Sequence, residues 1–315
     1  MGRLIDGKWV TEDLGTDAQG RFVRRATKYR TRPTADGSSG HRAAPGRYHL
    51  YISHACGWCH RVMIFRKLKG LEDAITVSEV RPHMRDEGWE FGDDGDPILG
   101  RRRLYEVYLA TDADYTGRAS VPVLWDRETN AIVTNESTDI CEALDREFDA
   151  HARHPDLRLF PDDLRDEIDA MVAANYEPIN NGVYKAGFAG NQEAHEEAAR
   201  ALFRRLDELE VLLGERRYLC GDRITAADWF LFPTLFRFDT VYYVHFKCNL
   251  RRIVDYPNLW GYTRELYQWP GIREVCNLDD AKTHYYTSHA SVHPRGYVPI
   301  GPALDFDAPH GRDRP

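Results

Sequence analysis

The sequence predicts an α/β domain followed by an all-α domain, on three observations. In the first half, strand-like and helix-like segments alternate around the stretch Cys-Gly-Trp-Cys-His at 56–60. From about residue 156 onward, the apolar residues recur at helical spacing instead. The chain has 315 residues, of which 42% are hydrophobic, so it is long enough to build a core in each domain.

The elements of the first domain follow a recognisable order. The pattern of apolar and β-prone residues predicts a strand at 48–53, a helix at 60–69, a strand at 74–80, strands at 121–125 and 131–134, and a helix at 136–148. The order β-α-β, a long connection and then β-β-α is that of the thioredoxin fold. It places Cys56 at the N-terminus of a helix, where backbone N–H groups and the helix dipole stabilise a thiolate.

The second domain shows helical periodicity throughout. Leucines at 202, 206, 209 and 213 lie on one face of a predicted helix. Thr225 and Asp228 have the spacing of a helix capping box, and Pro257 is placed to open another helix. We predict an extended arm with little regular structure at 1–46, a thioredoxin-like domain at 47–150 with an insertion at 83–118, a helical domain at 156–285 and a tail at 286–315.

Composition and charge argue against several classes of protein. The formal net charge is -8 and no dense run of Lys and Arg is present, so we expect no nucleic-acid partner. No stretch is long and apolar enough for a membrane helix, and the N-terminus lacks the apolar core of a signal peptide. We therefore expect a cytoplasmic protein with reduced cysteines and no membrane association.

The stretch at 56–60 fits three kinds of site: a haem attachment, half of a zinc site or a redox dithiol. A structural zinc site needs four ligands, and the chain has no second C-x-x-C or H-x3-5-H pair. Covalent haem is usually attached after export, and no export signal is present. The redox interpretation is favoured, with no metal and with Cys56 as a nucleophilic thiolate.

Motifs along nearly the whole chain resemble those of the Xi-class glutathione transferases, the glutathionyl-hydroquinone reductases. The matching stretches are GRFVR at 20–24, CGWCHRVMIFRKLKGLED at 56–73, GWEF at 88–91, VPVLWD at 121–126, NES at 135–137, NNGVYKAGFA at 180–189, the block 231–262, HYY at 284–286 and PIGP at 299–302. The resemblance implies a thioredoxin-like domain followed by a helical glutathione-transferase domain, with glutathione as co-substrate, aromatic hydroquinone conjugates as partners and a homodimer as assembly.

The resemblance also implies how the thiol substrate is held. Val121-Pro122 matches the position where this fold has a cis proline, whose preceding residue pairs with the substrate backbone. Glu136 and Ser137 match the pair that binds the γ-glutamyl ammonium and carboxylate. Trp89 matches the tryptophan that covers the bound thiol, and Arg118 is expected to contact a carboxylate of the tripeptide.

Two tyrosines match those that the family places around the reactive thiol. Tyr184 and Tyr285 would hydrogen-bond the hydroquinone or protonate the departing ring, and Tyr286 is an alternative to Tyr285. In the implied reaction, the Cys56 thiolate attacks the sulfur of a glutathionyl-hydroquinone, and a second glutathione releases the resulting mixed disulfide.

The chain departs from the family at its central motif, because the family usually has Cys-Pro-Trp-Ala-His. Cys59 lies one helical turn from Cys56, within disulfide reach in this fold. It could resolve the mixed disulfide, or it could be a small residue replacing alanine. Two other functions stay open: a dithiol glutaredoxin-like reductase, which could use a low-molecular-weight thiol other than glutathione, and a non-catalytic binding module.

Overall fold

The strand β3 (Tyr48–Ile52) is an inner strand of a four-stranded sheet in the computed structural model, which describes residues 2–11 and 15–313. The other strands of the sheet are β4 (Thr76–Glu79), β5 (Val123–Asp126) and β6 (Ala131–Thr134). Their order is β4-β3-β5-β6, with β3 parallel to β4 and the other pairs antiparallel. Every residue of β3 and β5 is buried, as expected for inner strands. The predicted strands are confirmed.

Two helices of this sheet domain pack against each other and carry the candidate site residues at their N-termini. They are α1 (Gly57–Leu68) and α3 (Ser137–Arg146). α1 ends at Lys69, after which Gly70 adopts a φ of +65°. Leu71 N–H then donates to Arg66 O at 2.9 Å, the long bond of a Schellman motif. The predicted order, β-α-β and then β-β-α after the long connection, is thus present.

The N-terminal arm contains regular structure that we did not expect. β1 (Gly2–Ile5) and β2 (Lys8–Thr11) form an antiparallel hairpin. Its two turn residues, Asp6 and Gly7, have φ values of +47° and +72°. A type I′ turn requires positive φ at both central positions, and Asp-Gly supplies them at low cost. The short β-prone stretches on either side of Asp-Gly were the signal for this hairpin.

The insertion at 83–118 also contains an element that the sequence reasoning missed, the helix α2 (Leu104–Thr111). Its buried residues Leu104, Val107 and Tyr108 recur at the helical spacing i, i+3 and i+4. The Glu106 carboxylate accepts hydrogen bonds from the backbone N–H groups of residues 102 and 103, at 3.1 and 2.9 Å, and so satisfies donors at the start of the helix. The polar residues around this short pattern concealed it.

The described chain divides into two units, each assembled from three separate stretches. The α/β unit consists of residues 2–11, 25–158 and 279–288. The helical unit consists of residues 15–24, 159–278 and 289–313. The predicted helical domain was expected to run to residue 285, but residues 279–288 belong to the α/β unit. The assignment of residues 279–288 to the α/β unit depends on tertiary contacts, which the local sequence pattern does not indicate.

The helical unit contains α-helices of 6 to 24 residues. Its α-helices are α4 (Arg165–Asn175), α5 (Gly182–Gly187), α6 (Gln192–Glu215), α7 (Ala226–Arg237) and α8 (Pro257–Tyr267). A last helix, α9 (Leu278–Ser288), begins at the end of this stretch, and its residues 279–288 lie in the α/β unit. The predicted leucine face of α6 is buried, and α8 opens at Pro257 as predicted.

The predicted capping box is present at the start of α7. The buried Asp228 carboxylate accepts hydrogen bonds from the Thr225 N–H at 2.8 Å and the Thr225 hydroxyl at 3.1 Å. It also accepts from the Leu219 N–H at 2.9 Å and the Tyr262 hydroxyl at 2.7 Å. One carboxylate therefore ties together the start of α7, the preceding loop and α8.

The C-terminal segment has no helix or strand over residues 289–313, yet it is firmly attached to the helical unit. The buried Arg312 donates to Glu265 Oε2 at 2.9 Å and to Leu213 O at 3.1 Å. Gln268 Nε2 donates to the carbonyls of Phe306 and Ala308 at 2.7 and 2.8 Å. Residues 286–288 of the predicted tail belong to α9, and residues 289–313 are a packed part of the helical unit.

Candidate active site

Cys56 lies where the chain passes from β3 into α1. It is the N-cap residue of α1, with extended backbone angles, and its side chain is half-buried. The His60 N–H donates to Cys56 O at 3.0 Å, which starts the helical hydrogen-bond ladder. The Cys56 thiol donates to Val121 O at 3.6 Å. A sulfur at this end of a helix faces the positive end of the helix dipole, which favours a thiolate.

Val121 and Pro122 lie opposite this thiol, immediately before β5. The peptide bond between them is cis, and both residues are buried. Because the Val121 carbonyl already contacts the Cys56 thiol, its backbone lies within reach of any thiol bound to that sulfur. The α/β unit thus brings together the predicted nucleophile and the predicted backbone-pairing residue.

Cys59 lies in the first turn of α1 and is buried, with 1% of its surface exposed. Its sulfur accepts the Ser53 N–H at 3.5 Å, and neither Cys59 nor Cys56 is in a disulfide. The second thiol of the motif therefore points into the protein, toward the end of β3, while the first is accessible. This arrangement fits either interpretation of Cys59.

A buried cation lies beside the tryptophan of the motif. The guanidinium carbon of Arg61 is 4.5 Å from the centre of the Trp58 ring, and Arg61 is buried. A cation at this distance from an indole ring is attracted by the electrons of the ring. The sequence reasoning did not single out Arg61, because an arginine within an amphipathic helix gives no local sign of burial.

Glu136 and Ser137 start α3. Glu136 is the N-cap residue, and its Oε1 accepts the Thr138 N–H at 3.3 Å and the Ser137 hydroxyl at 3.5 Å. Its Oε2 accepts the Thr27 hydroxyl at 3.5 Å. The N–H groups of a helix N-terminus attract a carboxylate, whereas the Glu136 carboxylate attracts an ammonium group. An α-amino acid group carries both charges, so this pair is chemically suited to the end of a γ-glutamyl peptide.

Trp89 is held by a histidine of α9. The rings of Trp89 and His284 are stacked, with centroids 4.6 Å apart and an interplanar angle of 22°. His284 Nδ1 donates to Pro82 O at 2.9 Å, and burial lowers the pKa of His284 to about 4. A neutral imidazole is therefore fixed against the indole. His284 was missed because its partner lies far away in the sequence.

The remaining predicted residues of the α/β unit are Tyr285, Tyr286 and Arg118. Tyr285 and Tyr286 both lie in α9 and are buried, and burial raises the pKa of Tyr286 to about 12. The rings of Tyr285 and His284 pack edge to face, 5.2 Å apart. Arg118 is half-buried, and its carbonyl accepts the Tyr115 hydroxyl at 3.4 Å.

Tyr184 belongs to the helical unit, on the short helix α5. Its half-buried ring lies among Phe188, Tyr242 and Phe246, with centroid distances of 6.4, 6.0 and 5.8 Å. Arg24 lies over the same ring, with its guanidinium carbon 4.8 Å from the centroid. Tyr184 is thus surrounded by aromatic side chains and one arginine.

Within residues 2–11 and 15–313, no group of three or more His, Cys, Asp or Glu is arranged to hold a metal ion. In the same part of the chain, no helix combines the length and the apolar character needed to cross a bilayer.

Two family models match the chain. Residues 55–147 match the glutathione S-transferase N-terminal domain, and residues 192–265 match the glutathione S-transferase C-terminal domain.

Curated relatives cover nearly the whole chain. The chain is 47% identical to the glutathionyl-hydroquinone reductase YqjG of Escherichia coli strain K12, over 99% of each protein. It is 50% identical to the glutathionyl-hydroquinone reductase PcpF of Sphingobium chlorophenolicum, over 96% of this chain and 97% of that protein.

A solved structure decides the class. The Xi-class glutathione transferase of Natrialba magadii superimposes with a TM-score of 0.93 and 45% identity, over 99% of this chain and 97% of that one. The chain belongs to the Xi class of glutathione S-transferases. This confirms the resemblance inferred from the motifs and the predicted order of a thioredoxin-like domain and a helical domain.

A second solved structure bears on the ligand of a Xi-class transferase. The glutathione-bound structure of YqjG from Escherichia coli K-12 superimposes on this chain with a TM-score of 0.90 and 45% identity. It covers 98% of this chain and 99% of its own. Glutathione is therefore the ligand of a close structural relative of this Xi-class transferase.

Proposed function

We propose that this Xi-class transferase removes glutathione from glutathionyl-hydroquinones through a mixed disulfide on Cys56. The main support for this proposal is the half-buried Cys56 thiol at the N-terminus of α1, whose sulfur lies 3.6 Å from the carbonyl of Val121. Thiol exchange needs an accessible sulfur in an environment that favours the thiolate, and this position offers both. The names of the relatives YqjG and PcpF agree with this chemistry.

The proposed reaction has two balanced steps. The Cys56 thiolate attacks the sulfur of the conjugate, an S–S bond forms and the bond from that sulfur to the aromatic carbon breaks. The electron pair of the broken bond stays on the carbon, which takes a proton and leaves as the hydroquinone. A second glutathione thiolate then attacks the sulfur of the bound glutathione, which releases glutathione disulfide and restores the Cys56 thiolate.

Residues of the α/β unit are proposed to bind the different parts of the glutathionyl group. The backbone of Val121, before cis Pro122, is proposed to pair with the backbone of the substrate cysteinyl residue. Glu136 is proposed to bind the γ-glutamyl ammonium and Ser137 the neighbouring carboxylate. We further propose that Trp89 covers the bound tripeptide and that Arg118 pairs with one of its carboxylates.

Tyrosines are proposed as donors to the hydroquinone. A phenol is neutral at pH 7 and can give a proton to the aromatic carbon as the bond to sulfur breaks. We assign this role to Tyr184 and Tyr285, with Tyr286 as the alternative to Tyr285. Substitution of each tyrosine by phenylalanine, which removes only the hydroxyl, separates the three.

The decisive experiment is turnover of a glutathionyl-hydroquinone with glutathione, measured for the wild type, Cys56→Ala and Cys56→Ser. The wild type should form hydroquinone and glutathione disulfide, and both variants should lose the reaction. Mass spectrometry of wild type quenched early in the reaction should show one glutathione bound through Cys56. Activity that survives in Cys56→Ala would exclude the mechanism, and binding without turnover in the wild type would support a non-catalytic module instead.

A second candidate function uses both thiols of the motif. The Ser53 N–H donates to the Cys59 sulfur at 3.5 Å, and such a bond stabilises negative charge on that sulfur. As a dithiol reductase, Cys59 would displace glutathione from Cys56. Two further thiol molecules would then reduce the Cys56–Cys59 disulfide in two exchange steps and leave as their own disulfide. Cys59→Ala should then slow reduction of generic disulfides and abolish an internal disulfide. If Cys59→Ala keeps the wild-type turnover and no oxidised intermediate is lost, Cys59 is a core residue without a role in the reaction.

The donor thiol, the assembly and the compartment complete the proposal. Glutathione is the proposed donor because it is bound by a structural relative, and the same turnover assay with other low-molecular-weight thiols tests that choice. We propose a homodimer, which sedimentation of the full chain would establish. We also propose a cytoplasmic location, since thiol exchange at Cys56 needs a compartment that keeps thiols reduced.

A further inference from the structure

A short piece of the N-terminal arm is docked on the helical unit. In residues 15–24, the Gly20 carbonyl accepts the Gly190 N–H at 2.7 Å, and Asn191 Nδ2 donates to Gln19 O at 3.0 Å. Gly20 has a φ of +76°, and a Cβ there would lie 2.4 Å from Asn191 Nδ2. Only glycine allows this close approach of the arm to the loop before α6.

Two further contacts fix the same piece of chain. Phe22 is buried, and its ring lies 5.6 Å from that of Phe188, just after α5. Arg21 forms an exposed ion pair with Glu197, at 3.0 Å. An aromatic anchor and a tight glycine contact therefore hold the arm before it leaves the helical unit at Arg24.

Arg24 is delivered by this docking to the ring of Tyr184. Its guanidinium carbon lies 4.8 Å from the Tyr184 centroid and 5.6 Å from that of Phe22. Its Nε donates to Asn181 Oδ1 at 2.8 Å, and Asn181 is the buried residue that precedes α5. The arginine thus bridges the face of the phenol and the start of the helix that carries it.

The charge of Arg24 has a chemical consequence for the phenol. When Tyr184 gives its proton to a leaving group, the O–H bond breaks and the negative charge of a phenolate spreads into the ring. A cation over the ring stabilises that charge, whereas the neighbouring rings of Phe188, Tyr242 and Phe246 bring no positive charge. The same cation changes little for the neutral phenol, so its effect is largest in the transition state.

We propose that Arg24 is a positioning residue that holds the Tyr184 ring and stabilises its phenolate during proton transfer to the departing hydroquinone. This rests on the proposed function, specifically on the role of Tyr184 as a proton donor.

The test compares Arg24→Gln and Arg24→Lys, with Arg21→Gln as the matched control on the same docked segment. If the cation stabilises the developing phenolate by about 0.5–1 kcal/mol more than the neutral phenol, Arg24→Gln should lower kcat by about two- to fivefold. The KM for the conjugate should change little. Arg24→Lys should restore part of the loss, and Arg21→Gln should keep wild-type kcat.

The pH–rate profile adds a readout that a purely structural role would not move. Without the cation the phenol is a weaker acid, so the alkaline limb of the kcat profile should move to higher pH in Arg24→Gln. Other titratable groups around α5 are Lys185, paired with Glu177, as well as His195, Tyr242 and His289. They are unchanged in all variants, so their titration cancels in the comparison.

A double-mutant cycle with Tyr184→Phe distinguishes the possible failures. If the inference holds, adding Arg24→Gln to Tyr184→Phe has no further effect on kcat. An equal loss in both backgrounds would overturn it, since Arg24 would then act independently of the phenol. If Tyr184→Phe retains wild-type kcat while Cys56→Ala is inactive, the thiol mechanism stands but the coupling of Arg24 to Tyr184 is refuted.

Discussion

The buried histidine His284 makes the stability of the α/β unit depend on pH. Burial lowers its pKa from 6.5 to about 4, so the folded protein keeps it neutral where the unfolded chain protonates it. The unfolded state then binds more protons, and stability falls as the pH drops from 6.5 toward 4. Between pH 7.5 and 4.5 this single group should cost about 2.5 kcal/mol of unfolding free energy.

The variant His284→Phe isolates the contribution of His284 to the pH dependence of stability. Phenylalanine keeps a ring against Trp89, 4.6 Å away in the wild type, but it cannot donate to Pro82 O. The lost hydrogen bond should make the variant less stable by about 1 kcal/mol at pH 7.5. Since the variant has no imidazole to protonate, it should be more stable than the wild type by about 1.5 kcal/mol at pH 4.5.

Urea denaturation at several pH values between 4.5 and 7.5, followed by tryptophan fluorescence and circular dichroism, measures both curves. Burial also lowers the pKa of His49 to about 4, but that residue is present in both proteins and cancels in the difference. The two stability curves should cross. Curves that stay parallel over the whole range would refute the reasoning, because they would show that His284 is not held neutral by the fold.

Three more predictions concern stability and binding. Asp228→Ala should lower the free energy of unfolding by about 3–5 kcal/mol, because it leaves four buried donors without an acceptor, whereas Tyr262→Phe should lower it by only about 1 kcal/mol. Chemical denaturation measures both losses, and equal losses would contradict this prediction. Gly20→Ala should loosen the docked arm, because alanine is strained at the φ of +76° and its Cβ would displace the Asn191 side-chain amide. Faster hydrogen exchange or proteolysis at residues 15–24 would show it. Glu136→Gln should raise the KM for the conjugate about 10- to 100-fold with kcat nearly unchanged, and an unaltered KM in steady-state kinetics would remove Glu136 from the proposed site.

Local patterns predicted much of the fold, because most of its signals act over a few residues. The order of strands and helices follows from hydrophobic periodicity, and the box of Thr225 and Asp228 is visible as a spacing of three. Cys56 at a helix N-terminus follows from a strand that is followed directly by a helical pattern. Even the missed hairpin was marked locally, by Asp6 and Gly7 at its turn.

Contacts between distant residues could not be predicted in this way. The stack of Trp89 on His284 joins an insertion to the last helix, and the contact of Arg24 with Tyr184 joins the arm to α5. In each case neither partner shows a periodic or capping signal that points to the other. Such contacts depend on tertiary packing, so sequence reasoning reaches the residues of a site more easily than the groups that hold them in place.

The division of each unit into three stretches has a consequence for how the protein is made. When residue 158 has been synthesised, the α/β unit still lacks residues 279–288, which supply the ring that stacks on Trp89. At ordinary rates of translation the missing helix follows on the order of ten seconds later. During that interval the sheet and the thiol motif exist without α9. A nascent chain that stops before residue 288 would therefore carry Cys56 in an α/β unit whose last helix is incomplete.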